Sequence, residues 1–134
     1  MQFAVARRGL PGAASLRKWA RAAAASMPVT VRIVGTSEGR RLNRDYRSGN
    51  RATNVLSFSY GDGTGDVVLC HPLIAREARE QRKPLAAHYA HLLVHGMLHL
   101  RGYDHETRQQ ASRMERVEVR VLRRLGFADP YAVK

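Results

Sequence analysis

Three histidines stand at H-x3-H-x5-H in the stretch His95-Gly96-Met97-Leu98-His99-Leu100-Arg101-Gly102-Tyr103-Asp104-His105. His95 and His99 are four apart, so on a helix they share one face, one turn above the other. Gly102 offers that helix a stop, because it takes positive φ without a Cβ penalty. The chain can then turn back and bring His105 toward the first two. Three imidazoles around one point are the layout of a catalytic zinc site, with three protein ligands and one position open to water. The plainer reading is three unrelated polar residues. An i,i+4 pair alone would favour it, but a third histidine beyond a glycine at this spacing favours a metal. The expectation is one divalent ion held by His95, His99 and His105. Zinc is the first choice, although the same donors also suit nickel, copper or iron.

The same stretch carries more histidines than a metal needs. His88, His91, His95 and His99 fall on one helical stripe, since 3.6 residues per turn returns them to nearly one angle. His91 and His99 lie ~12 Å apart along the axis at the usual rise, too far to meet on one ion with ligand bonds of about 2.1 Å. His91 is therefore expected behind the ligands or facing substrate, against the alternative of a plain buried polar contact. His88 and His71 are expected to take no part. A metal on three neutral imidazoles keeps its full charge, acidifies water and polarises a phosphoryl or carbonyl oxygen. The chemistry is hydrolysis. The spacing also matches the extended zinc-protease pattern, with one departure: Gly96 occupies the position of the glutamate base. Phosphodiester cleavage can rest more on neutralising charge with metal and arginine.

Charge points the same way. The chain has 134 residues, one cysteine and a formal net charge of +12. Residues 1–51 carry 11 Lys and Arg against 2 Asp and Glu, and residues 52–134 carry 12 against 9. A small domain this basic is expected to meet a polyanion. Nucleic acid suits it better than a membrane, because no segment has the large apolar face of an interfacial anchor. No apolar run reaches the length of a membrane span. Arg17, Lys18 and Arg21 interrupt the N-terminal stretch before Ala22–Ala25, which argues against a signal peptide. The lone Cys70 precludes an internal disulfide and fits a reducing cytoplasm.

The elements that must position the histidines follow from periodicity. Gln2 to Arg7 predicts a short strand, broken by Gly9, Pro11 and Gly12. Ser15 can cap a helix to about Ser26, with Leu16, Trp19, Ala20, Ala23 and Ala24 as its buried stripe. Pro28 to Val34 is β-branched and alternating, a strand. A helix from Ser37 to Tyr46 leads to the polar loop Arg47–Arg51. Asn54–Tyr60 and Asp66–Cys70 read as a hairpin through a glycine-rich turn, the second strand apolar throughout and so central. Ile74–Arg82, Leu85–Leu100 and a last helix ending at Leu125 complete the chain, the last capped by Asp104 or Thr107. Ala111, Met114, Val117, Val121 and Leu125 form its core stripe. This is one α+β domain over residues 1–134, a four-stranded mixed sheet with about five helices.

With these residues in place, the sequence resembles the YbeY family of bacterial single-strand endoribonucleases and ribosomal RNA maturation factors. The run His95–His105 is similar to that family's signature in full. Leu42–Arg47 followed by Thr53–Phe58 resembles its second conserved block, and Gly65-Asp66, Leu125-Gly126-Phe127 and Asp129-Pro130-Tyr131 also fit. Ala52 and Ser59 stand where family members often carry proline. The resemblance implies a zinc-type site at His95, His99 and His105, and a functional arginine at Arg47. A guanidinium there can clamp a phosphate through two hydrogen bonds. Ser57, His91 and Asp104 are expected behind the metal or facing substrate. For Asp104 a helix cap is the favoured alternative.

The resulting expectation is a cytoplasmic metal-dependent endoribonuclease. Its substrate is single-stranded RNA, with ribosomal RNA at the small-subunit 3′ end implied by the resemblance, along with ribosome or small-subunit assembly partners. Two alternatives stay open at this point. One is a zinc peptidase with a base from elsewhere, and the other is a non-catalytic ribosome-assembly module with a structural metal.

Overall fold

The computed structural model describes residues 1–47 and 53–132, without the side chain of Arg47. The elements run β1 (Gln2–Phe3), α1 (Ala13–Ala23), β2 (Val29–Val34), α2 (Thr36–Arg47), β3 (Val55–Ser59), β4 (Gly65–Cys70), α3 (His71–Glu80), α4 (Leu85–Leu100) and α5 (Arg108–Arg124). The four strands form one sheet in the order β1-β2-β4-β3. β2 runs parallel to β1 and β4, and β3 runs antiparallel to β4. This is the expected mixed sheet with five helices in a single domain.

β4 is central because its run is apolar on both faces. Val67 and Leu69 join the main core, while Val68 and Cys70 join a second cluster with Val34 and Leu56 on the opposite face. Leu42 of α2 and Leu73 of α3 pack against that second cluster. On the first face lies α4, which packs against α1, α3, α5, β3 and β4. Tyr89, Ala90, Leu93, Val94, Met97 and Leu98 of α4 are all buried. A helix apolar nearly all round has to be enclosed in this way. Burying each large apolar side chain is worth about 1.5–3 kcal/mol, so α4 is firmly held.

Several ends differ from expectation. The first strand stops at Phe3, although the Ala4 amide still donates to Ile33 O at 2.8 Å. α1 starts at Ala13, capped by Gly12 rather than Ser15, and stops at Ala23. There the Arg101 guanidinium donates to Ala23 O at 2.8 Å, satisfying a terminal carbonyl. α3 starts at His71, directly on the end of β4, with Pro72 in its first turn, where a missing N–H costs no hydrogen bond. Trp19 is a core residue, edge-on to Phe127 at 5.5 Å. The loop Arg47–Arg51 and Ala52 lie outside the described residues, apart from the backbone of Arg47 at the end of α2. No helix among the described residues is long and apolar enough to cross a membrane.

Candidate metal centre

Two local devices set the geometry of the histidines. The first is Gly96, which lets α4 lie directly on the sheet. A Cβ there would stand 3.0 Å from Ser57 Oγ, 3.0 Å from Val67 Cγ1 and 3.3 Å from Val55 Cγ2. Ser57 Oγ donates to Gly96 O at 3.0 Å and ties β3 to the helix beside His95. The second is the turn after α4. Gly102 takes φ +99°, Gly102 N bonds His99 O and Tyr103 N bonds Leu98 O, each at 3.0 Å. This paired closure of a helix end reverses the chain and carries His105 back.

The outcome is a cluster. One ring nitrogen from each of His95, His99 and His105 lies within 4.8 Å of the others. Ring centroids are 4.8 Å apart for His95–His99 and His99–His105, and 5.4 Å for His95–His105. Nitrogens bound to one ion at about 2.1 Å sit roughly 3.4 Å apart in a tetrahedron, so small ring rotations close the set. The donor chemistry fits as well. Burial pushes the His99 pKa down, and the neighbouring His95 and His105 lower it further against smaller opposing effects of Asp104 and Glu118. The neutral imidazole that a metal requires is thereby favoured.

Behind His95 stands a residue that the sequence reading missed. Glu118 of α5 is fully buried. His95 Nδ1–H donates to its Oε2, and the Tyr131 hydroxyl donates to its Oε1. His91 Nε2 lies 3.0 Å from the Tyr131 hydroxyl and 3.4 Å from Glu118 Oε1. The buried His91 Nδ1 has no partner among the described residues, so its proton belongs on Nε2, where it is donated to the tyrosine oxygen. Burial raises the Glu118 pKa, but the bonds from His91, His95 and Tyr131 together outweigh it and hold the carboxyl down at about 2. A signal for Glu118 existed in the sequence. It sits on the apolar stripe of α5, four after Met114 and three before Val121, where a carboxylate belongs only if it is engaged.

The remaining expected residues fall as follows. The cap of α5 is Thr107, in a reciprocal box with Gln110. Asp104 does not cap that helix; its Oδ1 accepts the His105 amide at 2.7 Å. Residue 104 lies three places before the cap, because the helix begins only at Arg108. His71 and His88 stand apart from the cluster. His71 Nδ1 is 2.7 Å from the Tyr89 hydroxyl, and His88 Nε2 is 2.9 Å from Glu77 Oε1. Glu77 also accepts from Asn54 Nδ2 at 3.1 Å, which anchors the start of β3. The Arg47 side chain is outside the described residues.

The histidine cluster opens onto a groove of about 440 Å³. Its wall is the edge strand β3, through Val55, Ser57 and Ser59, with Asn54 at the near end. An α+β fold with three convergent imidazoles beside an open groove defines a class: single-domain proteins with a centre suited to one metal ion. Within that class, the family model for Endoribonuclease YbeY matches residues 13–126, and the chain belongs to the YbeY family. A protein of that name from Aromatoleum aromaticum is 57% identical over 126 residues, covering 91% of this chain and 82% of that protein. One from Nitrosomonas eutropha is 48% identical, covering 100% and 98%. One from Cupriavidus necator is 51% identical, and the chain spans 66% of its length. A solution structure from Thermotoga maritima, 22% identical, shares the fold with a TM-score of 0.58 and covers 98% of each chain.

Proposed function

We propose that the chain, as one domain over residues 1–134, is a metal-dependent endoribonuclease acting on single-stranded RNA. The observation that carries this reading is the three-histidine cluster at the floor of an open groove, in a chain whose relatives bear the name endoribonuclease. His95, His99 and His105 hold the ion, with zinc the best match to three imidazoles. When bound, it supplies an acidified water and Lewis-acid polarisation of a phosphoryl oxygen. The residues around it do the rest. Arg47 clamps the scissile phosphate. Ser57 fixes the distance between groove wall and metal helix, and Asp104 fixes the backbone at His105. The net charge of +12 draws the polyanion in. Ribosomal RNA at the small-subunit 3′ end is the proposed substrate, with assembly partners on the ribosome and a cytoplasmic location.

A peptidase reading finds no support at Gly96. The glutamate such an enzyme needs would begin with a Cβ pressed against Ser57 and Val67. The test is direct. Purified protein is analysed for metal, then incubated with single-stranded RNA and, separately, with denatured protein. Wild type is expected to carry about one ion and to cut only RNA. His95→Ala is expected to lose both metal and cleavage, and Arg47→Ala to lose cleavage while keeping metal. Peptide cleavage without RNA cleavage would overturn the reading.

A further inference from the structure

We infer that Glu118 is the positioning residue of the metal centre and that Tyr131 locks it in place. This rests on the reading of His95, His99 and His105 as ligands. An imidazole has two nitrogens, and a metal ligand must present one unprotonated. The Glu118 carboxylate accepts the hydrogen bond of His95 Nδ1–H, which keeps the proton on Nδ1 and leaves the Nε2 lone pair for the cluster. A carboxylate behind a ligating histidine fixes both its tautomer and the plane of its ring, and makes it a stronger donor.

The setting of Glu118 has no ready structural explanation. It is wholly buried beside Met114, Val121 and Leu122, where a hydrophobic residue would fill the space without a desolvation penalty of several kcal/mol. Its oxygens are instead divided between two tasks. Oε2 faces His95, and Oε1 takes the hydroxyl of Tyr131 with His91 close by. The Tyr131 hydroxyl in turn accepts from His91 Nε2, so the carboxylate cannot swing away from His95 without breaking a second set of bonds. Tyr131 is set by its own turn, in which its amide donates to Asp129 Oδ1 at 2.8 Å. Among the described residues no carboxylate bonds the ring of His99 or His105. His95 is therefore the pre-oriented ligand, and the other two rings adjust to it.

The experiment measures zinc affinity by chelator competition for wild type, Glu118→Gln and Tyr131→Phe, and reads the His95 tautomer by long-range ¹H–¹⁵N spectra of the metal-free proteins. Wild type is expected to show the Nδ1–H tautomer at His95; Glu118→Gln is expected to lower zinc affinity about 10- to 100-fold and to mix the tautomers there. Tyr131→Phe is expected to lower affinity several-fold. Leu122→Ala, a core change on the same helix, is expected to lower the melting temperature while leaving zinc affinity within twofold. Unchanged affinity and tautomer in Glu118→Gln overturn the inference. If that variant does not fold, Tyr131→Phe decides, and wild-type zinc affinity there overturns it. A wild type that binds no zinc overturns the ligand reading and this inference with it.

Discussion

The Ser57 hydroxyl oxygen lies 3.0 Å from the Gly96 carbonyl oxygen and 3.0 Å from where a Cβ on Gly96 would stand. One short contact thus seats α4 on the sheet and leaves little room for a side chain next to His95. Gly96→Ala gains helix propensity of up to about 1 kcal/mol. It also forces Ser57 and the stiff Val67 and Val55 outward, at about 1–3 kcal/mol for overpacking. The net expectation is a loss of about 1–2 kcal/mol in urea unfolding, partly relieved by adding Ser57→Ala. Gly96→Glu is expected not to fold. A stable Gly96→Glu protein would show that the helix can lift off the sheet.

Removing a ligand should separate metal from fold. His99 is half-buried at the edge of a core built by apolar side chains of α1, α3, α4, α5 and the sheet. His99→Ala is expected to lose stoichiometric zinc while its far-UV circular dichroism stays that of wild type. Global unfolding of this variant would instead mark the metal as structural.

The cap of α5 should reach the site. Thr107 accepts the Gln110 amide at 3.1 Å, and the Gln110 side chain accepts the Thr107 amide at 3.1 Å. Thr107→Ala is expected to cost about 1 kcal/mol. Because Thr107 sits two residues after His105, zinc affinity should fall with it. A cap loss that left zinc affinity untouched would show that the Gly102 turn alone places His105.

Acid should destabilise the metal-free protein from near neutrality. Burial holds the pKa of His71 and of His88 below the ordinary 6.5, for His88 despite the opposing hydrogen bond to Glu77. Above 6.5 both rings are neutral, folded or unfolded, and stability is constant. As pH falls through 6.5 the unfolded chain takes up protons that the folded one refuses, so stability declines until the folded-state pKa values are passed. Urea midpoints of the metal-free protein from pH 7.5 to 5 are expected to drop. His88→Gln should remove part of the slope.

RNA binding should respond strongly to salt. For single strands each neutralised phosphate contributes about −0.7 to the slope of log K against log salt. Four to six contacts would give about −3 to −4. Replacing exposed Arg17, Lys18 and Arg21 with glutamine is expected to flatten the slope by about 2 if the basic N-terminal half carries the strand. A slope near zero would mean that charge does not drive binding.

What could be read from the sequence divides by distance along the chain. His95 and His99 share one helical face, and His105 follows within one turn, so the cluster is a local feature and spacing exposes it. The central place of β4 followed from its unbroken apolar run. A carboxylate on the apolar stripe of α5 marks Glu118 as engaged, but its partner is not readable, because Glu118 and Tyr131 lie 23 and 36 residues from His95 and only packing of α5 on α4 brings them there. The parallel pairing of β1, β2 and β4 is long-range in the same way. The first strand is shorter than expected for another reason: Gln2, Phe3 and the Ala4 amide find partners on β2 before the chain turns off at Arg7. Asp104 was a fair choice for a cap by residue type, but the helix start is set by the Thr107–Gln110 pair.

The turn carrying His105 is fastened at both ends, by the Gly102 closure on one side and by the Thr107 box on the other. Five residues separate His99 from His105, so an ion that joins them closes a loop the protein has already closed, and little chain entropy remains to be lost on loading. An ion at this site is then expected to enter after folding and to exchange, rather than to drive folding. Newly made protein would fold empty and load from the local pool, so occupancy in a cell would track which borderline divalent metal is in supply.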